Sequence, residues 1–359
     1  MLSADYPPFK PLKLMKSAHF QTVGAYFLRG SPTQYGAVKH IVPLSDGDRL
    51  VIHDDVPSNW ITGDRIAILF HGLCGCHLSP YVVRTSDKLR RCGVRTIRVD
   101  MRGFGDSTLI SKSHLHGGNY QDAVSIVDFV HQLCPISKIS LVGFSIGGNV
   151  VLKTLGVWGD RPRDFVDSAV TVSPPVDLIH CSWNLRQRGN RIYESYFMKK
   201  LRSQLTKRRR LVRELVDNQI CPLPTRLIHW DDQFTAPCWG YRGAREYYED
   251  ASSGPWLDQV KVPTVILTAE DDPVVPYSMF GDYQMSKHIE LISTRHGGHL
   301  GFLGQRLRDP DRHWMDWRIC QWLTSQDNDF GPESGNETKK RPALSGPHQR
   351  SRVTTSSRI

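Results

Sequence analysis

Short apolar runs alternate with longer stretches of helical spacing along the chain. The predominantly apolar runs are residues 66–70, 94–99, 139–142, 169–172, 264–268 and 289–293. Such runs are typical of strands that are buried on both faces of a parallel sheet. Residues 79–92 and 119–133 separate some of these runs and repeat their apolar positions at helical intervals. The alternation predicts an α/β fold with a mostly parallel central sheet and helices on both faces.

The same pattern divides the chain into five segments. A polar turn between residues 38–42 and 49–54 predicts a hairpin ahead of the first buried strand. Between 176 and 255 the chain is rich in charge and aromatic residues and lacks strand-like runs, which predicts a helical cap inserted into the core. The expected segments are an irregular, proline-rich N-terminal arm (1–40), the first part of the core (41–175), the cap (176–255), the second part of the core (256–325, ending in a helix over 311–323) and a disordered basic tail (326–359).

The composition favours a soluble globular protein. The chain has 359 residues, of which 39% are hydrophobic, and no run approaches the roughly 18 apolar residues of a membrane span. The N-terminus lacks the apolar core of a secretory signal, so we expect a cytoplasmic location. The eight cysteines are scattered and form no C-x-x-C pair, which favours reduced thiols. Nothing in the sequence calls for a metal or a cofactor, and a solvated loop is expected for His114 and His116.

Positive charge is concentrated in two places. The formal net charge is +10, but the stretch from Thr338 to the end contains six basic residues and no acid, so part of the excess belongs to the tail. The cap carries eight basic residues and no acid between 199 and 213. This run indicates either a solvated helix face or a cationic surface that contacts anionic lipid. Nucleic acid is not an expected partner, because no recognised binding module accompanies the charge.

The residues that follow the apolar run 139–142 carry the strongest chemical signal. They read Gly143-Phe144-Ser145-Ile146-Gly147 and lead into a helix-forming stretch. A G-x-S-x-G sequence between strand and helix is the nucleophile elbow of α/β-hydrolases, where the serine lies at a sharp turn and the helix N-terminus faces the reaction centre. The backbone N–H of Ile146 is then one oxyanion donor, and that of Leu73, in the loop after His71-Gly72, is the second. His71 is expected to hold the shape of this loop.

A nucleophilic serine needs a histidine base that a carboxylate orients, and in this fold the chain order is serine, acid, histidine. Three acids follow the run 264–268. Asp272 is favoured because Val275-Pro276 allows a short turn after it, with Asp271 as the alternative and Glu270 expected in solvent. Two histidines follow the run 289–293. His299 is preferred to His296 because two glycines precede it and allow close packing.

These motifs together resemble the YheT-like branch of the α/β-hydrolases, the abhydrolase-4 family of esterases and lipases. The resemblance spans roughly residues 7–325 and lies in residues 19–22, 70–73, 79–81, 102–103, 116–122, 143–149, 231–235, 271–273 and 297–302. It implies hydrolysis of carboxylic esters with Ser145, Asp272 and His299 as the triad. Animal members carry an N-terminal membrane anchor that we do not expect here, which puts membrane-lipid substrates in doubt.

The expected activity is therefore that of a serine esterase, acting on short- to medium-chain esters or acylglycerols through an acyl-enzyme intermediate. An acyltransferase would use the same triad and stays open as an alternative. A non-catalytic binding protein of the same fold is a third possibility, but such a protein would be expected to have lost a triad residue, and all three candidates are present.

Overall fold

A twisted eight-stranded sheet forms the centre of the protein. The computed structural model describes residues 7–13, 15–28, 36–208 and 223–326. The strands are β1 (Val38–Pro43), β2 (Arg49–Asp55), β3 (Ile66–Phe70), β4 (Arg95–Asp100), β5 (Ile139–Phe144), β6 (Val166–Val172), β7 (Thr264–Ala269) and β8 (Ile289–Thr294). Their order is β1-β2-β4-β3-β5-β6-β7-β8, and β2 alone runs against its neighbours. The predicted mostly parallel α/β sheet is confirmed, and so is the hairpin, which forms from β1 and β2.

Helices cover both faces of this sheet, as the sequence predicts. They are α1 (Ala18–Phe27), α2 (Pro80–Arg91), α3 (Tyr120–Leu133), α4 (Ile146–Trp158), α5 (Leu178–Leu185), α6 (Arg191–Arg208), α7 (Leu227–Trp230), α8 (Ala236–Cys238), α9 (Ala244–Ala251) and α10 (Trp314–Ser325). Alternate residues of β3 point to opposite faces, so that Ile66 and Ile68 pack with α3 and α4, whereas Ala67 packs with α2 and α10. The apolar side of α10, with Trp314, is buried as its spacing predicts.

The proline content led us to expect an irregular N-terminal arm, but part of this segment is helical. Helix α1 forms ten residues of it. Gln21, buried on this helix, accepts a hydrogen bond from the N–H of Leu303 and donates one to the carbonyl of the same residue. A contact between residues 282 positions apart stabilises this helix, and nothing in the local sequence reveals it.

The cap segment, residues 176–255, lies between β6 and β7 and contains α5 to α9 with no strand among its described residues. Between α7 and α8 the chain forms one turn of π-helix, Asp231–Thr235. Helix α6 of this segment is described as far as Arg208, and residues 209–222 lie outside the described part of the chain. The tail predicted from 326 onward lies outside it as well, except Gln326.

The basic run of the cap is only partly a surface. Lys199, Lys200 and Lys207 are exposed, but Arg208 is fully buried and donates to the carbonyls of Ser111 and Ser113. The expectation of a solvated helix face or a cationic surface is therefore wrong at Arg208, because this side chain donates to carbonyls of a core loop. Arg209, Arg210 and Arg213 lie outside the described residues. Among the described helices, none is both long and apolar enough to cross a membrane.

Candidate active site

Ser145 lies at the sharp turn between β5 and α4. Its backbone has φ 51° and ψ −122°, in a region that residues other than glycine rarely adopt. The two flanking glycines allow this turn: a Cβ on Gly147 would lie 2.5 Å from the carbonyl oxygen of Phe70, and one on Gly143 would lie 2.5 Å from the Cα of Gly148. The strained serine backbone and the close approach on both sides are the geometry of a nucleophile elbow.

His299 stands between Ser145 and Asp272. Its Nε2 is 3.0 Å from the Ser145 Oγ, and its Nδ1 is 2.9 Å from Oδ2 of Asp272. Oδ1 of Asp272 accepts hydrogen bonds from the backbone N–H groups of Val274 and Val275, at 2.8 and 2.9 Å. The carboxylate side chain is fully shielded from solvent, so these bonds satisfy it and aim its second oxygen at the histidine. The structure thus brings together the three residues that the sequence singles out.

The other candidates of the two loops have different contacts. Oδ1 of Asp271 accepts the N–H of Gly298 at 2.9 Å, and Oδ2 is 3.4 Å from Nδ1 of His296. Asp271 therefore connects the loops that follow β7 and β8, whereas its neighbour Asp272 makes the contact with His299. Glu270 is exposed and accepts a hydrogen bond from Ser293, in agreement with its expected place in solvent.

The two expected oxyanion donors lie beside Ser145. Ile146 is the first residue of α4, where a helix has N–H groups without an intrahelical acceptor. Leu73 lies in the loop after β3, which passes so close that a Cβ on Gly72 would be 3.2 Å from the Cβ of Ser145. The hydroxyl of Tyr81 accepts the N–H of Gly72 at 2.8 Å and fixes this loop. Sequence reasoning did not assign Tyr81 a role, although it belongs to the family resemblance.

His71 fixes the loop after β3 by hydrogen bonds, as expected. It is fully buried, and its Nε2 accepts the N–H of Met101 at 3.1 Å, so Nδ1 carries the proton and donates to the carbonyl of Gly72 at 2.8 Å. Burial lowers the pKa of His71, which keeps the ring neutral in this arrangement.

Helix α1 supports the histidine loop from the opposite side. The Oγ1 of Thr22 accepts the backbone N–H of His299 at 2.9 Å and donates to the carbonyl of Ala18 at 2.8 Å. Thr22 was not predicted as a site residue. The only signal for it is the segment 19–22 within the family resemblance, which carries no information about where the helix packs.

Two cavities meet at Ser145. The inner cavity, about 100 Å³, lies between the core and the cap segment, and its walls include Leu73, Leu115, Ile146, Leu178 and Trp230. The outer cavity, about 370 Å³, lies between α1 and α6, and its walls include Thr22, Phe27, Leu73, Tyr196 and His299. Both are predominantly apolar. Ile146 lines only the inner cavity and His299 only the outer one, which distinguishes the two sides of the serine.

His114 and His116 are not in a solvated loop, contrary to expectation. Both are buried in the seam between core and cap segment. The ring of His116 accepts the N–H of Gly118 at Nδ1, so Nε2 donates to the hydroxyl of Tyr241 at 3.0 Å. Burial lowers the pKa of His114 to about 3 and that of His116 to about 4. Aromatic residues of the cap segment, among them Trp239 and Tyr247, create this environment from positions far away along the chain.

One group of described residues has side chains of the types that bind metals. His53, His77, Asp100 and Asp106 place their ligand atoms within 4.8 Å of one another. Burial opposes ionisation of Asp100, but hydrogen bonds from both histidines hold its pKa well below the usual range. Asp106 forms an ion pair with Lys39 at 2.5 Å. These contacts link the loop after β3 to β2 and β4 by hydrogen bonds within the protein.

Comparison with known proteins agrees with the fold and with the resemblance. Residues 68–305 match the family described as alpha/beta hydrolase fold. The chain is 28% identical to YheT of Escherichia coli (strain K12), over 88% of this chain and 93% of the relative. It is 26% identical to Monoacylglycerol lipase ABHD2 of Danio rerio, over 90% of this chain and 78% of the relative. Among solved structures, an esterase of Pyrococcus furiosus, Pf2001, superposes with a TM-score of 0.52 at 15% identity, covering 82% of this chain and 96% of that one. With the elbow, the strand order and the family match in agreement, the chain belongs to the α/β-hydrolase fold family and is similar to YheT.

Proposed function

We propose that the protein is a serine hydrolase of carboxylic esters, with Ser145 as nucleophile, His299 as base and Asp272 as the acid that orients the base. The observation that carries the proposal is the continuous line from Asp272 through His299 to Ser145, with contacts of 2.9 and 3.0 Å. The relative named as a monoacylglycerol lipase supports the reaction class.

The proposed reaction has two steps. His299 takes the proton of Ser145 while the serine oxygen attacks the ester carbonyl, and Asp272 stabilises the imidazolium that forms. The C–O bond to the alcohol breaks, and His299 passes the proton to the leaving oxygen. Water then enters, loses a proton to His299 and attacks the acyl-enzyme, which releases the acid and restores Ser145. The N–H groups of Leu73 and Ile146 stabilise the oxyanion in both steps.

The positions of the two cavities suggest how an ester lies in the site. The leaving alcohol must be within reach of His299, and His299 lines the outer cavity. The carbonyl oxygen must face Leu73 and Ile146, and both line the inner cavity. The acyl chain therefore lies in the inner cavity and the alcohol in the outer one. Because both cavities are predominantly apolar, we propose esters with largely apolar acyl chains, acylglycerols among them, as the substrate class.

The test is hydrolysis of a p-nitrophenyl ester series of increasing acyl length by the wild type and by Ser145→Ala. We expect turnover by the wild type and a loss of kcat of at least about 10⁴-fold in the variant. Undiminished activity in Ser145→Ala would refute the nucleophile. Absence of both hydrolysis and labelling by a fluorophosphonate probe would favour the binding protein. Labelling with acyl transfer to an alcohol in place of hydrolysis would favour the acyltransferase.

We further propose that Lys199, Lys200 and Lys207 contact anionic membrane surfaces, since all three are exposed on α6, a helix that also lines the outer cavity. Binding to vesicles with and without anionic lipid, at low and high salt, tests this idea, and replacing the three lysines by Gln should weaken the anionic, low-salt binding. Equal binding to both vesicle types would contradict it.

The five-segment division of the chain, a cytoplasmic location and the absence of nucleic-acid partners are retained as proposals. The helical content of residues 176–255 supports the division. None of the seven cysteines in the described part of the chain forms a disulfide bond with another, which supports a reducing compartment.

A further inference from the structure

The inner cavity contains a chain of polar groups that the proposed reaction does not use. Tyr248 donates its hydroxyl hydrogen to Oδ2 of Asp231 at 2.6 Å, and Thr235 donates to Oδ1 of the same carboxylate at 2.6 Å. Ser182 is hydrogen-bonded to the hydroxyl of Tyr248. All four residues line the inner cavity, and Asp231 is the sole carboxylate among the described residues that do so.

Burial of the Asp231 carboxylate costs free energy, and the hydrogen bonds from the hydroxyls of Thr235 and Tyr248 offset this cost only in part. Asp231 is 8% exposed, and burial raises its pKa to about 6 against the lowering effect of the hydrogen bonds. An ionised carboxylate accepts about four hydrogen bonds, and Thr235 and Tyr248 provide two. Acceptor capacity thus remains on a cavity wall whose other surfaces are mostly apolar.

The local backbone is unusual at the same position. Asp231 begins the π-helical turn, a conformation that is rare and occurs frequently at functional sites. Trp230, just before this turn, and Phe234, within it, stack with ring centroids 4.5 Å apart. A polar group placed among aromatic rings in an apolar cavity is how binding sites select one end of a ligand.

We propose that Asp231 is a specificity-determining residue that binds a hydrogen-bond donor, a hydroxyl or an ammonium group, on the acyl chain of the ester. This inference rests on the proposed function, because the acyl chain is assigned to the inner cavity by the positions of Ile146 and His299. Thr235 and Tyr248 act as positioning residues that hold the carboxylate toward the cavity. An ammonium group binds more strongly than a hydroxyl, since Asp231 supplies the negative charge of the cavity wall.

The experiment uses methyl esters of linear acids from four to ten carbons, each with a terminal CH3, CH2OH or CH2NH3⁺ group, assayed at pH 8. At the chain length that reaches Asp231, we expect the donor-terminated esters to exceed the CH3 ester in kcat/KM by about tenfold or more, chiefly through KM. Asp231→Asn should abolish the preference for the ammonium ester over the CH3 ester, measured as the ratio of their kcat/KM values. The matched control is Asp232→Asn, because Asp232 is exposed and accepts the N–H of Ala244 outside the cavity.

A second measurement keeps the inference testable if Asp231→Asn does not fold. In the Ser145→Ala protein, which binds without turnover, the donor-terminated ester should raise the melting temperature more than the CH3 ester of equal length. Equal kcat/KM and equal melting shifts for all three termini at every length would overturn the role of Asp231. Hydrolysis of no ester by the wild type would instead overturn the proposed function, and the melting shifts would still decide whether Asp231 selects a donor.

Discussion

The strand-end loops of the core and the helical cap segment each bring a buried carboxylate to the surroundings of Ser145, and they hold it by different means. Asp272 is held by the backbone N–H groups of Val274 and Val275. Asp231 is held by the side-chain hydroxyls of Thr235 and Tyr248. Backbone donors at the end of a buried strand leave the Asp272 carboxylate little conformational freedom. The position of the Asp231 carboxylate, in contrast, changes when either side chain that donates to it is substituted. The proposed reaction thus belongs to the core loops, and the proposed selection of substrate belongs to the cap segment.

The two regions meet at a seam of buried side chains. Asn149 of α4 donates to the carbonyls of Gly117 and Ala251, and its Oδ1 accepts the N–H of Ser253. His116, of the core, contacts Tyr241, of the cap segment. These polar contacts, together with the apolar packing of Tyr247 and Tyr248 against the core, orient the cap segment over Ser145.

The largest expected effect is in the core, at the carboxylate that contacts His299. Asp272→Asn keeps the volume and one acceptor oxygen but places an amide against Nδ1 of His299, which favours the wrong tautomer, and kcat should fall by about 10⁴-fold. Asp271→Asn should lower kcat by less than about tenfold, because Asp271 bonds Gly298 and not the catalytic ring. Steady-state kinetics of both variants decide the matter. A greater loss at Asp271 would move the acid by one residue.

The next effect concerns the seam and its response to acid. Burial, assisted by the charge of Lys153, lowers the pKa of His116 from its ordinary 6.5 to about 4 in the folded protein. Above pH 6.5 the ring is neutral in both states. Between about pH 6.5 and 4 the unfolded state binds a proton that the folded state does not. The free energy of unfolding therefore decreases as the pH is lowered through this range, by up to about 3 kcal/mol.

Urea unfolding followed by tryptophan fluorescence at pH 7.5, 6 and 5 measures this loss. His116→Gln has no titrating ring and should show a shallower pH dependence than the wild type. An identical slope in the two proteins would show that protonation of His116 does not control the seam.

The smallest effect concerns the support of the histidine loop by α1. Thr22→Val keeps the side-chain volume but removes the acceptor of the His299 N–H, which should cost about 1 kcal/mol of positioning and lower kcat about fivefold, with KM nearly unchanged. Thr206→Val is the matched control, because Thr206 makes the same hydroxyl bond to a carbonyl four residues earlier, on the exposed side of α6. Equal kcat in both variants would mean that α1 does not position His299.

Much of the core could be predicted because its signals are local. A strand that is buried on both faces needs an apolar run, and a serine at a strained turn needs small neighbours, so β5, Ser145 and its flanking glycines can be located from the sequence. Asp272 and His299 follow from their positions after later strands in a known order. Helix α1, the buried seam histidines and the buried Arg208 were missed, since each depends on partners far away along the chain.

The sequence by itself determined the alternation of core strands and helices along the chain, the elbow at Ser145 and the pair of loops that carry Asp272 and His299, because backbone periodicity and turn chemistry act over a few residues. Only the tertiary structure decided that Thr22 contacts the loop of His299, 277 positions away, and that Asp231 faces the inner cavity. Those contacts arise when the apolar surfaces of α1 and the cap segment pack against the core, and their energy is shared among residues that no local pattern links.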